Sequence, residues 1–259
     1  MSEMSPGETG DLSHELVRLA SADNFRDLAG PGHTTPDGHP LRPGVLYRSN
    51  ELQLSDADVH RLAGLGLGEI FDLREQHEVD AHPDIEVSGA SWHHLPVPGI
   101  PMDQVVALSS REEADEAMRA VYRGFVDDEL ARVSFAELLT RLAAGAAPQV
   151  FHCTAGKDRT GWASALLLRL AGVPEEAVLA DYLRTNEVNG TREKYLAMVA
   201  EHLGPEKVPV YESIMVAEAD YLAAADERVR AEHGDHATYA VEGLGLSRET
   251  VAALVARLR

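Results

Sequence analysis

Cys153 is the only cysteine in a chain of 259 residues, and Arg159 follows it after five intervening residues. The stretch from Val150 to Gly161 reads VFHCTAGKDRTG, an apolar strand-like run that leads into a short polar turn. A thiolate nucleophile at neutral pH needs positive surroundings, and a helix N-terminus plus an arginine supply them. The spacer Thr154, Ala155, Gly156, Lys157 and Asp158 lets the backbone curl, so that successive N–H groups point at one centre. A helix starting near Thr160 closes that anion cradle. The planar fork of Arg159 can then hold two oxygens of a phosphoryl group. Cysteine below, amides around and guanidinium opposite describe a site for a phosphate monoester. Taken singly, the cysteine reads as a small buried hydrophobe and Gly-Lys-Asp as turn chemistry. The joint pattern outweighs that bland reading.

The same residues resemble a family. HCTAGKDRTG looks like the signature of cysteine-dependent protein tyrosine phosphatases. Its Gly-Lys-Asp-Arg variant is similar to bacterial tyrosine phosphatases that also accept phosphoinositides. Further matching pieces are Asn24-Phe25-Arg26-Asp27-Leu28, Tyr47-Arg48-Ser49, Asp72-Leu73-Arg74 and Asp181-Tyr182-Leu183. The resemblance therefore runs from about residue 20 to the C-terminus.

In the mechanism these residues allow, Cys153 attacks phosphorus to form a phosphocysteine, which water then cleaves. The amides of the loop and the Arg159 fork are aimed where charge spreads in the transition state. Thr160 is placed to hydrogen-bond the departing thiolate, as the resemblance also implies, and His152 orients the loop through backbone contacts. The leaving oxygen needs a proton, yet no Trp-Pro-Asp acid loop occurs. Asp158 inside the loop and Asp72 at a strand end are the two candidates. The resemblance implicates the loop aspartate, and a thiolate and a phosphate dianion beside it favour its protonated form. Lys157 reads either as a rim cation for a second phosphate or as a plain solvated lysine. Arg26, Asp27, Arg48 and Arg74 read first as an ion-pair network beneath the loop, ahead of direct substrate contact. Adjacent His93 and His94 point to opposite faces of a strand, which opposes a shared metal. The reading includes no metal and no cofactor.

These side chains must be carried by elements. A strand over Val45–Tyr47 has Arg48 and Ser49 at its exit, and Ile70–Leu73 and Ser91–Val97 read as further strands. Ser55 caps a helix to Leu65. Helical periodicity over Arg111–Asp128 places Met118, Val121, Tyr122 and Phe125 on one face, and Phe135–Ala143 continues as a helix. The strand Gln149–Phe151, the loop and a helix over Gly161–Ala171 follow. Residues 30–44, with four prolines and four glycines, form a surface loop. Strands alternating with helices predict an α/β fold with a central four- to five-stranded sheet, tyrosine phosphatase-like, and a helical C-terminal part. Residues 1–11 read as a disordered tail, Ser13–Ala20 as a helix or edge strand, and 12–259 as one phosphatase domain. Within it, the resemblance implies a helical lid over 186–215, carrying Arg192, Lys194 and Lys207, with an ordinary packed helix pair as the competing reading.

The net charge of −20 opposes nucleic-acid binding and tight docking on anionic membranes. It also opposes long-range steering of anions, so phosphate recognition has to be local. No apolar run is long enough to span a bilayer, and the acidic N-terminus lacks the regions of a signal peptide. One cysteine suits a reducing cytoplasm, with signal-independent export left open. The expected partners are a phosphorylated protein or a small phosphorylated substrate. The leading reading is a phosphatase for protein phosphotyrosine, extending to phosphoserine, phosphothreonine or phosphoinositides. Behind it stand a small-molecule phosphatase for a nucleotide, sugar or pathway intermediate, and a non-catalytic phosphate-binding module. Rhodanese-type thiol chemistry fits the His before and the Lys-Asp-Arg-Thr after the cysteine less well.

Overall fold

Leu46-Tyr47, Ile70-Phe71 and Val150-Phe151 are the apolar cores of three parallel strands, and the last of these strands ends at His152, directly before Cys153. The structure, a computed structural model, describes residues 19–188 and 191–259. The tail over 1–11, and residues 13–18 of the helix-or-strand segment, lie outside the described residues. The strands are β1 (Arg26–Asp27), β2 (Leu46–Ser49), β3 (Glu69–Asp72), β4 (Ser91–His94) and β5 (Gln149–His152). Between them run α1 (Asp56–Ala63), α2 (Gln76–Ala81), α3 (Met102–Ala107), α4 (Arg111–Asp127) and α5 (Glu129–Ala144). After β5 come α6 (Asp158–Leu170), α7 (Glu175–Leu183), α8 (Thr185–Val188), α9 (Thr191–His202) and α10 (Val208–Met215). The described chain ends with α11 (Ala219–His233), α12 (His236–Thr238) and α13 (Arg248–Leu258).

The five strands lie in the order β1-β2-β5-β3-β4, with β1 antiparallel and the rest parallel. This is the expected α/β sheet. β5 is central, so the loop after it opens at the carboxyl edge of the sheet, where α/β folds place ligands. Alternation along the strands divides the core. Leu46, Phe71 and Phe151 face a large cluster with Phe125, Phe135, Trp162 and Tyr182. Tyr47, Ile70 and Val150 face a smaller one with Leu54, Leu62 and Val87. Each fully buried large side chain of this kind contributes about 1.5–3 kcal/mol.

Several boundaries move. Ser55 does cap α1, accepting from the Asp58 N–H, but the helix ends at Ala63. Asp128 accepts from the Ala131 N–H and starts α5 at Glu129, ahead of the expected Phe135. Arg26 and Asp27 form β1, and Arg48 and Ser49 lie inside β2, not at its exit. His93 and His94 pack as separate rings. His93 stacks on Phe71 at 5.3 Å and His94 on Trp92 at 5.5 Å.

Candidate active site

β5 delivers Cys153, and α6 begins five residues later at Asp158. Cys153 is 2% exposed, at the bottom of the turn. Gly156 adopts φ +66°, and a Cβ there would stand 2.5 Å from the Ser49 carbonyl oxygen and 2.7 Å from the Asn50 nitrogen. Only glycine fits that close approach. The surroundings hold the loop's carbonyls outward. The Glu51 N–H donates to Thr154 O at 3.0 Å, Asn24 Nδ2 to Ala155 O at 2.8 Å, and Arg48 Nη2 to Gly156 O at 2.8 Å. With three successive carbonyls held by the scaffold, the peptide planes turn their N–H groups toward the cradle's centre.

Asp181 on α7 organises that support. It receives Arg26 Nε at 3.0 Å and Arg48 Nη1 at 2.5 Å, all three side chains being buried. Burial alone would raise the Asp181 carboxyl, but the two guanidinium groups hold it far below the usual carboxylate range. Burial and the charge of Arg48 bring Arg26 down to about 10 against the pull of Asp181. Asn24 completes the set, accepting from Arg26 while it donates to the loop. Asp27 stands apart from it. Its carboxylate accepts the N–H groups of Ala29 and Gly44 and so closes the 27–44 loop.

A second buried network centres on Arg74. Its Nη2 contacts Asp72 at 2.7 Å and Asp84 at 2.9 Å, and its Nη1 contacts Glu51 at 3.2 Å. Asp84 also lies 2.9 Å from His152 Nε2. Burial pushes His152 down, yet the neighbouring Asp84 and Asp72 carboxylates outweigh it and leave its pKa raised. Against its own burial, Asp84 is held at about 2, chiefly by His152. Ligand atoms of Asp72, Asp84 and His152 lie within 4.8 Å of one another, close enough for a metal. The Arg74 guanidinium already supplies the positive charge there.

Arg159 meets a residue that sequence reasoning missed. Glu78, in the first turn of α2, takes Arg159 Nη1 at 2.5 Å and Nη2 at 2.8 Å, and accepts the Thr154 hydroxyl. Burial would raise the Glu78 carboxyl, but the Arg159 fork and charge bring it down to about 2. Burial opposes the charge on Arg159, which Glu78 and Cys153 restore and raise above its ordinary value. Glu78 therefore sets where the fork sits. The available sequence signal was Glu75-Gln-His-Glu78, which closes a reciprocal capping box at the start of α2.

Glu78→Gln is expected to cut kcat/KM about 10- to 100-fold, since a small misplacement of a positioning group has that cost. The carboxyl's folded value of about 2 lies below its ordinary 4.5. Its contribution to stability is therefore complete above pH 4.5 and is lost as the pH falls through 2. Denaturant melts of the variant between those values should show a shallower pH dependence. Unchanged activity would remove Glu78 from the site.

The remaining expected residues separate. Thr160 is fully buried, and its hydroxyl has no hydrogen-bond partner among the described residues. Lys157 does not project from the rim. Its ammonium is buried, donating to the carbonyls of Ile214 and Val216 at the end of α10 and lying 3.2 Å from Asp158 Oδ1. Asp158 is partly exposed and accepts the Tyr122 hydroxyl at 2.9 Å. Asp72 is fully buried under Arg74. Of the expected lid cations, Lys207 donates to Leu108 O at 2.8 Å, and the Lys194 side chain lies outside the described residues.

A cavity of about 410 Å³ opens over the cradle. Thr154, Ala155, Lys157 and Asp158 line it, together with the apolar side chains of Ile100, Val105, Tyr211, Ile214 and Met215. α10 thus supplies much of its apolar wall. Asp23, Asn50, Glu51 and His82 line it as well. The arrangement can bind a phosphoryl group, place a sulfur behind phosphorus and bring a carboxyl to the departing oxygen.

A sequence model described as "Tyrosine phosphatase family" matches residues 17–259. The chain is 32% identical to the triple specificity protein phosphatase PtpB of Mycobacterium tuberculosis, over 90% of this chain and 95% of that protein. It is 36% identical to a putative tyrosine-protein phosphatase of Cupriavidus necator, over 68% of this chain and 64% of that one. A crystal structure of Tk-PTP is similar at 18% identity and a TM-score of 0.32, covering 74% of this chain and 97% of that one.

Proposed function

The chain belongs to the tyrosine phosphatase family and is a phosphoric monoester hydrolase; from that premise we propose that it dephosphorylates protein phosphotyrosine through a phosphocysteine on Cys153. The observation that carries the substrate reading is the apolar wall of the cavity, where Ile100, Val105, Tyr211 and Ile214 stand ready to flank an aromatic ring above the cradle. The name of the mycobacterial relative extends the set of substrates to be tried. A panel of phosphotyrosyl and phosphoseryl peptides, inositol lipids and phosphometabolites tests the reading. Peptide phosphotyrosine is expected to lead in kcat/KM by tenfold or more, as the wall gains from burying the ring. A phosphometabolite leading the panel would replace it with a small-molecule phosphatase.

In this mechanism the thiolate of Cys153 displaces the aryl oxygen in line, and the S–P bond forms as the P–O bond breaks. The loop amides and Arg159 hold the three equatorial oxygens. Asp158 protonates the departing phenolate and then accepts a proton from the water that cleaves the S–P bond. The Thr160 hydroxyl is available to the departing thiolate. The chemistry requires Cys153 reduced, which favours the cytoplasm.

Asp158→Asn is expected to lose about 10²–10⁴-fold on poorly activated aryl or alkyl phosphates and far less on nitrophenyl phosphate. A good leaving group departs without a proton, so only the poor one depends on the carboxyl group. Asp72→Asn is the matched control. If Asp72→Asn shows the steep leaving-group dependence and Asp158→Asn a flat one, the roles are reversed.

A further inference from the structure

Asp158 is tethered through one oxygen only. Tyr122 on α4 donates to Oδ1 at 2.9 Å, and Lys157 Nζ stands 3.2 Å from the same atom. Among the described residues no hydrogen bond engages Oδ2. Behind Tyr122, the Tyr182 hydroxyl on α7 lies 2.7 Å from the Tyr122 hydroxyl, and both rings are buried. The two rings meet edge to face at 6.2 Å between centroids, which leaves little freedom to turn away.

Proton counting gives this chain a direction. Each phenol carries one proton and can also accept. Tyr122 spends its proton on Asp158, so Tyr182 has to donate to the Tyr122 oxygen. A proton on Oδ1 would reverse the chain and leave the Tyr182 hydroxyl proton, in a buried site, without an acceptor among the described residues. That loss is costly. The proton of a neutral Asp158 therefore belongs on Oδ2.

We propose that Tyr122, oriented by Tyr182, is a positioning residue that pins Oδ1 of Asp158 and so assigns the transferable proton to Oδ2. The inference rests on Asp158 as the general acid. Tyr122 thus tunes the acid as well as aiming it. The groups facing Asp158 come from several elements. Tyr122 and Tyr182 approach from α4 and α7, and Lys157, Arg159 and Cys153 from its own loop. Lys157 in turn lies 5.9 Å from the centre of the Tyr221 ring on α11. Tyr122, Lys157 and Arg159 favour the ionised carboxylate, while the thiolate and a bound phosphate dianion favour the protonated acid. Removing the Tyr122 hydroxyl takes one donor from the ionised form. The alkaline limb of activity, where the acid loses its proton, should then move to higher pH.

The test compares wild type, Tyr122→Phe, Tyr182→Phe and Asp158→Asn in pH profiles of kcat/KM on phenyl phosphate and nitrophenyl phosphate. Tyr122→Phe is expected to shift the alkaline limb upward by up to about one pH unit, the difference between a hydrogen bond to a charged carboxylate and one to its neutral form. It should also slow phenyl phosphate about tenfold more than nitrophenyl phosphate, because the acid is no longer aimed. Tyr182→Phe keeps the bond to Asp158 and should give a smaller shift of the same sign. It also serves if Tyr122→Phe melts early. Asp158→Asn should erase the limb, and adding Tyr122→Phe to it should then change nothing further. An unmoved limb in both tyrosine variants, with the limb erased by Asp158→Asn, would overturn the positioning role and leave the acid in place. A limb that survives in Asp158→Asn, with its leaving-group dependence intact, would overturn both.

Discussion

Cys153→Ser is expected to abolish turnover, with a loss on the order of 10⁴-fold or more, while the affinity for inorganic phosphate changes by less than about threefold. The two effects separate because nucleophile and cradle are different parts of the site. A serine hydroxyl lacks the low pKa and intrinsic nucleophilicity of a thiol. The anion, in contrast, is held by amides whose carbonyl ends are fixed to Glu51, Asn24 and Arg48, and none of these contacts involves the sulfur. Titration calorimetry with phosphate measures the retained binding. Rapid acid quench with a labelled substrate should trap a phosphorylated wild-type protein and none of the variant. Residual kcat above a tenth of wild type would show that another group attacks phosphorus. A wild-type enzyme that turns over without any trapped phosphoenzyme would remove the covalent step.

Arg159→Lys is the second large effect, with an expected fall in kcat of about 10²–10³-fold. The charge is conserved, so the loss isolates geometry. Arg159 presents two donors to Glu78 at 2.5 and 2.8 Å, and the same planar fork suits two oxygens of a phosphoryl group. A lysine ammonium is a point charge that can satisfy neither pair in parallel. It would also leave Glu78 half-buried with its hydrogen bonds incomplete, which draws the ammonium toward the carboxylate and away from phosphate. Steady-state kinetics on nitrophenyl phosphate measure the effect, and vanadate inhibition should weaken in parallel. Near-normal activity would place Arg159 outside the reacting centre.

Both expectations follow from residues that lie close together in the chain, which is why they were legible before any fold was known. The cradle from Cys153 to Arg159 is local geometry. Its glycine, its helix start and its charge pattern are written in consecutive positions. The sheet was legible for a similar reason, since strand and helix periods declare themselves within a few residues. Its expected four or five strands became five, with β5 at the centre. What local pattern misplaced were ends. Asp128 starts α5 because its carboxylate is free to cap the turn that follows α4, and apolar spacing alone pointed to a later start.

Partner choice was decided by the tertiary structure. Glu78 is 81 positions from Arg159, and Tyr122 is 36 from Asp158. In the sequence, Tyr122 was one more apolar residue on a helix face and Glu78 one acid in a strongly acidic chain. Neither identity declares a partner. Lys157 shows the converse. Its type and place promised a rim cation, but the end of α10 presents the Ile214 and Val216 carbonyls to its ammonium, and a buried charge settles where acceptors are fixed. Asp27 had the same flanking-strand signature as Arg26 and went to a loop closure, because its carboxylate takes the Ala29 and Gly44 amides. The sequence by itself marked the candidate nucleophile and its cradle and determined the layered sheet, since each depends on neighbours in the chain. The folded structure decided how Asp158 is held at the cavity, what fixes the arginine and where the lysine points. Those are outcomes of long-range packing and desolvation, in which groups far apart in sequence compete for the same few buried partners.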